Sequence, residues 1–435
     1  MSVRKAIFLL VCAGANLLPG ARVLASDSTN VEDEVRLLRE QNALLQQQVK
    51  NQGTVLDTLT KKVEALEAAS GTHMEDGDHP SPPPGGLNFG KINLSAEGGV
   101  GFFNTGPEGF APDSNFRVDE TRLFVEAPVW GNVYFHSDLD LATHENTSLN
   151  AELGELYLDF EDASQLWGRD GQLNVRAGRI DIPFGEEYLN RYAMENPLIS
   201  RSLSDIWGID PGVELYGTLG KFSYVAAVQN GGGNGVQDFD ADKSVTARLC
   251  YDLNPHWHFS LSGMRTGDLD VKSDVMSELW FGGGFFRSIG SPATTKFYAD
   301  LVEADVTARW NSGHVSVFGG YAHYADNDPA VNNSRYLLYY SVEAQQKLPH
   351  KFYAAARFSQ IFAPNGYPIV GNGNFGEYFF GELTYQIWRA SFGLGYVFSD
   401  NLALKAEYSI ERGETEGGDS RDSEDFFGTE AVFKF

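Results

Sequence analysis

Charged side chains recur along much of this chain with a period of two, and that spacing limits the chemistry open to them. Over 120–127, Glu120, Arg122 and Glu126 fall on one side of an extended backbone, while Leu123, Val125 and Ala127 fall on the other. The same alternation puts Arg176, Arg248, Arg309 and Arg357 on the polar side, with Asp138, Asp140, Asp159, Glu303 and Asp305. A long irregular stretch, 183–212, adds Arg191 and Arg201 against Glu186, Glu187, Glu195, Asp205 and Asp210. Fixed charges facing one another across a wet space make no bonds. They act on passing ions through a transverse field.

Bond-making chemistry is poorly supported. His136, Asp138 and Asp140 share one face, but Ser137 points the other way, and no nucleophile, base and orienting group can be placed together. The chain is therefore expected not to be an enzyme and to need no cofactor. Its two cysteines, Cys12 and Cys250, offer no Cys-based metal site. His73, Asp76, Asp78 and His79 could gather a divalent ion, yet they lie in a proline-rich stretch that reads more simply as solvated linker, and no metal is expected.

The elements that must position these charges are strands. Lys91–Glu97 and Asn132–Leu141 alternate polar and apolar without a break. Similar runs cover 172–180, 222–229, 244–251, 257–265, 302–310, 352–361, 402–411 and 426–435. Many have the length that crosses a bilayer at a tilt of about 45°. Backbone groups in lipid need partners, so such strands must close on themselves. Short turns at 129–131, 220–221, 254–256, 311–313, 348–350 and 399–401 separate long polar loops near 104–115, 183–212, 230–242, 267–276, 326–334, 363–375 and 413–424. With both chain ends on the short-turn side, the fold class is all-β: a 16-stranded antiparallel transmembrane β-barrel. Eighteen strands is the alternative, if the apolar runs 278–287 and 377–387 cross as well. Counting them would put long loops on the short-turn side, so they read as strand extensions or folded loop.

The net charge of −26, from 59 acidic against 33 basic side chains, excludes nucleic acid as a partner. Residues 1–25 have the form of a secretory signal: Arg4 and Lys5, an apolar run Ala6–Ala15, then Val23-Leu24-Ala25. Residues 26–69 carry a heptad pattern, with Val35, Asn42, Val49, Leu56 and Val63 at one core position and Val31, Leu38, Leu45, Gln52, Leu59 and Leu66 at the other. An α-helical coiled coil is expected there. Val at the first core position with Leu at the second leans towards two strands, and dimer or trimer stays open. Residues 70–86 form a semi-rigid linker with four prolines, and 87–435 are the barrel.

The stretch Val175-Arg176-Ala177-Gly178-Arg179-Ile180-Asp181-Ile182-Pro183-Phe184-Gly185-Glu186, with Gly212-Val213-Glu214-Leu215-Tyr216-Gly217 further on, resembles the phosphate-selective porin O and P family. The terminal Phe433-Lys434-Phe435 looks like the aromatic-ended signal read by the barrel assembly machinery. The resemblance implies a homotrimer of sixteen-stranded barrels in the bacterial outer membrane. It also implies that the loop after the fifth strand, here the longest loop, folds into the lumen as a constriction. The residues expected to line or narrow the passage are Arg122, Arg176, Arg179, Arg191, Arg201, Arg248, Arg309, Arg357, Glu186, Glu187, Asp205 and Asp210.

The expected function is a passive diffusion channel for small hydrophilic solutes or ions, with anions such as phosphate as the family's cargo. The acidic balance of the constricting loop speaks against anion preference. Outer-membrane lipid and lipopolysaccharide would surround the barrel, and the coiled coil would reach into the periplasm. A different class of function, a cell-wall tether with the barrel as its anchor, is the alternative.

Overall fold

The computed structural model describes residues 87–89, 91–142, 151–231, 241–270 and 293–435. The expectations for 1–86, for the run 278–287 and for positions 232–240 of the loop near 230–242 lie outside the described residues. All of the described residues belong to the second of two compact units, Pro80–Phe435.

Sixteen long strands follow one another: β1 (Ile92–Thr105), β2 (Asn115–Trp130), β3 (Val133–Ala142), β4 (Glu152–Phe160), β5 (Asn174–Asp181), β6 (Ile209–Leu219), β7 (Phe222–Gln229) and β8 (Ser244–Asn254). The second half is β9 (Trp257–Arg265), β10 (Lys296–Trp310), β11 (Gly313–Asp326), β12 (Arg335–Lys347), β13 (Phe352–Tyr367), β14 (Thr384–Ser399), β15 (Leu402–Thr415) and β16 (Phe426–Lys434). Short pieces at Leu87–Phe89, Leu269–Asp270 and Ser420–Arg421 extend the ladder. Every strand pairs antiparallel with the next, and β16 pairs with β1 from Phe426 opposite Thr105 to Lys434 opposite Glu97. Phe435 and Ala96 then exchange two backbone hydrogen bonds of 2.9 Å. The sheet is a closed antiparallel barrel of sixteen strands.

The eighteen-strand count fails at 377–387. There a short helix, α1 (Phe375–Phe380), precedes the start of β14. Two other expectations need correction. The strand β6 begins at Ile209, so Asp210 belongs to the wall and not to the loop. The turn side also carries a longer link, 161–173, whose 3-10 helix Ala163–Trp167 has no alternation to announce it.

Alternation sorts the wall as expected. Val100, Val213, Leu249, Leu261, Val302, Leu338, Phe392 and Leu404 are exposed on the outer side, an apolar surface that none of the described residues covers. Trp130, Phe222, Trp257, Trp310, Phe352 and Phe398 are exposed at strand ends beside the short turns. An apolar band edged with aromatics is the outer surface of a barrel in lipid.

Strict alternation breaks in the middle of β2. Glu120 takes a left-handed backbone, φ 45°, and the register with β1 and β3 slips beside it. The resulting bulge leaves Asp119 and Glu120 both buried, where the pattern allowed only one of them inside. Leu261→Arg on the outer face should lower the unfolding free energy in lipid vesicles by about 2–4 kcal/mol, read by urea titration. A change within error would mean that this face does not meet hydrocarbon.

Candidate constriction site

The connection 182–208 leaves β5 and folds inward. Ile182, Phe184, Leu203 and Ile206 pack with Phe297, Leu301, Tyr324 and Ile361 of the wall in one apolar cluster, with Phe184 only 1 % exposed. Gly185 follows with φ +66°, and a side-chain carbon there would lie 2.1 Å from a Glu303 carboxylate oxygen. Its N–H donates to Ser262 Oγ at 3.1 Å, and its carbonyl accepts from the Arg248 guanidinium. The Pro-Phe-Gly motif thus drives one apolar ring into the wall and turns the chain where only glycine fits.

Strands β13, β14 and β15 hold the middle of the loop through charged side chains. Lys405 on β15 donates to the carbonyls of Ala193, of Asn196 at 2.6 Å and of Leu198 at 3.2 Å. Glu407, two residues on, accepts from the N–H groups of Ile199 and Ser200 at 2.7 and 2.8 Å, and from the Ser200 hydroxyl. Arg357 on β13 donates to the Ser200 carbonyl at 2.7 Å and to Asn196 Oδ1 at 3.0 Å, while its Nε reaches Glu343 at 2.9 Å. Arg389 on β14 joins Glu411 to the Arg201 carbonyl. A loop inside a barrel has no ladder to satisfy its backbone, and ionic side chains supply that satisfaction.

A third contact reaches β2 and β3. Arg201 pairs with Glu120 at 2.7 Å, and Arg122 pairs with Asp140 at 2.9 Å. Within the loop Arg191 pairs with Asp205 and lies over the Trp207 ring at 3.8 Å. The Ser202 N–H donates to Glu187 at 2.8 Å, and the Ser202 hydroxyl donates to it as well. Burial pushes the Glu187 carboxyl above its usual range, and Asp205 adds to this, while Arg357 and the Ser202 bonds oppose it.

The remaining predicted residues are scattered. Arg176 lies between Asp159 and Glu214, at 2.8 and 3.2 Å, with the Tyr216 ring 4.4 Å away. Arg179 stands in register with Leu156 and Pro211, and its Nε donates to the Gly154 carbonyl. Arg309 is exposed at the turn end of β10. Asp210 is buried and accepts from the Gly231 N–H. Glu186 meets His258.

Sequence reasoning passed over Arg389, Lys405, Glu407 and Glu411. All four sit at inward positions of β14 and β15, and the alternation within 402–411 could have found the last three. Arg421 was also missed. Buried between two outer loops, it donates to the Ile369 and Val370 carbonyls at 2.7 Å and pairs with Glu424. Among the described residues, buried carboxylates outnumber buried cationic side chains about two to one.

A barrel of sixteen strands with a polar interior and an inward loop after the fifth strand has the fold of the outer-membrane porins. Solved structures agree. The outer membrane channel DcaP of Acinetobacter baumannii aligns over 80 % of this chain and 99 % of its own, with TM-score 0.53 and 13 % identity. OmpT, an outer membrane protein of Vibrio cholerae, aligns over 81 % and 100 %, with TM-score 0.52 and 11 % identity. An anion-selective porin from Comamonas acidovorans aligns over 79 % and 99 %, with TM-score 0.50 and 11 % identity. No protein-family model and no curated protein matches the chain.

Lys405→Met removes the cation that holds three loop carbonyls and leaves Glu407 with one fewer opposing charge. Breaking a buried pair costs about 3–5 kcal/mol. The barrel should still form, but trypsin should now cut after Arg191 or Arg201 in the folded protein, as mapped by mass spectrometry. A loop as resistant as in the parent would show that Lys405 does not hold it.

Proposed function

We propose that this chain is a passive channel of the bacterial outer membrane for small hydrophilic solutes, narrowed by the loop 182–208 and favouring cations over anions. The observation that carries the reading is the loop itself, pinned at Gly185 to β8 and β9 and at 193–201 to β13, β14 and β15. A loop fixed to the wall at these separate strands would narrow the bore and bring solutes past charged groups. The solved channels with this fold, one of them titled an anion-selective porin, support the channel reading.

Anion or phosphate selectivity is not carried over from the sequence resemblance. Arg122, Arg357, Arg389 and Lys405 are already engaged with carboxylates or loop carbonyls. Two carboxylates on the water side stay half-exposed, Glu126 beside His136 and Glu195 beside Lys434. Cations would gain from this balance, while apolar solutes would lose their hydration without compensation.

We further propose a homotrimer, as one structure with this fold, the trimer form of OmpT from Vibrio cholerae, is described. Residues 26–69 would form a periplasmic coiled coil after cleavage at 25, with 70–86 as linker. In planar bilayers the protein should give stepwise currents grouped in threes, with a reversal potential on the cation side under a potassium chloride gradient. Glu126→Gln with Glu195→Gln should move that potential towards anions. An electrically silent barrel would sink the channel and favour the tether, and an unmoved potential would take these two carboxylates out of the ion path.

A further inference from the structure

Three different metal-ligating side chains meet on the inner wall beside the loop. Cys250 on β8 and His258 on β9 lie on paired strands, with Cys250 opposite Ser260 and His258 opposite Asp252. Glu186 comes from the loop. One ligand atom from each of the three, carboxylate oxygen, thiol sulfur and imidazole nitrogen, falls within 4.8 Å of the others. Glu186 Oε1 lies 2.7 Å from His258 Nε2 and 3.5 Å from Cys250 Sγ. On the far side of the ring, His258 Nδ1 meets Asp252 at 2.7 Å.

We propose that Glu186, Cys250 and His258 bind a borderline divalent metal ion of the zinc class. Zinc takes bonds of about 2.0–2.3 Å to oxygen, nitrogen and sulfur in a tetrahedron, which puts ligand atoms roughly 3.3–3.7 Å apart. Small side-chain adjustments bring the three into that range. Three protein ligands leave the fourth position to water, and the wet lumen supplies it. Thiol and imidazole donors select against calcium and magnesium, which take oxygen.

Two features separate this site from an ordinary polar cluster. The first is that its surroundings are already built. Gly185 is fixed through both its N–H and its carbonyl, so the next residue is delivered to one place. Asp252 holds the His258 Nδ1–H, which leaves Nε2 as the ligand, the arrangement by which carboxylates orient metal-bound histidines. The second is the thiol. An Asp–His–Glu hydrogen-bonded row would account for Asp252, His258 and Glu186 but has no use for sulfur. Cys250 is buried at 6 % exposure, points at Glu186, and has no partner for a disulfide other than Cys12. On binding, the ion replaces two protons, that of the Cys250 thiol and the one shared between His258 Nε2 and Glu186; both leave to solvent, and the ion bonds the thiolate, the Glu186 carboxylate and neutral Nε2. Bound metal would then tie the constricting loop to β8 and β9.

The test uses the full-length protein in detergent, stripped with a chelator, with folding checked by the heat-modifiable gel shift. Cobalt(II) should bind at one ion per chain with a thiolate charge-transfer band, and zinc should compete for it. Zinc should also slow alkylation of Cys250 by a maleimide at least about tenfold. Cys250→Ser should remove the band, and His258→Gln should remove the zinc protection. Asp252→Asn, which only positions His258, should weaken binding by about 10- to 100-fold while keeping the band. A cobalt complex without the thiolate band, or protection that survives His258→Gln, overturns the site. Because neither readout needs ion conduction, failure here is distinct from failure of the channel reading.

Discussion

A strand in hydrocarbon cannot leave its backbone N–H and C=O groups unpaired, because no water is present to take them and each costs several kcal/mol. The seam between β16 and β1 is where this chain meets that requirement, with nine register pairs ending in the mutual bonds of Phe435 and Ala96. Every other feature inherits from this closure. It gives the wall an inside and an outside, gives alternate residues opposite environments, and encloses the loop 182–208 among side chains from strands far apart in sequence.

The same requirement explains the charged residues behind that loop. Once folded inward, residues 193–201 have carbonyl and N–H groups with no neighbouring strand. Lys405, Arg357 and Arg389 take the carbonyls, and Glu407 takes the N–H groups. Their own charges are balanced by Glu343 and Glu411. These cations are therefore part of the scaffold that holds the loop. The bore is also not uniformly polar. The wall facing Phe184 and Leu203 is lined with Met264, Phe297, Leu301 and Ile361, a dry patch that seats the two ends of the loop by apolar burial. Ionic contacts seat its middle.

A good deal was legible from the chain alone. The period of two in runs such as 222–229 and 257–265 set both strand ends correctly, because each residue there meets lipid on one side and water or protein on the other. Loop asymmetry then set the count at sixteen. Other features left no local signal. The link 161–173 and the helix Phe375–Phe380 have no alternation, and the inward apolar patch mimics the outward one. The bulge at Glu120 shifts the parity of a whole half-strand through one backbone angle.

Residue order by itself determined the strands and their inner and outer faces, since both follow from local periodicity, while the inward fold of the loop was implied by the family resemblance alone. Only tertiary structure decided what each charge does. Arg357 and Lys405 read from sequence as charges facing water, yet they hold backbone groups of a segment some 150 to 210 positions away. Glu186, Cys250 and His258 come together in the same way. Closing the barrel brings distant positions within a few ångströms, and no local pattern encodes which of them will meet.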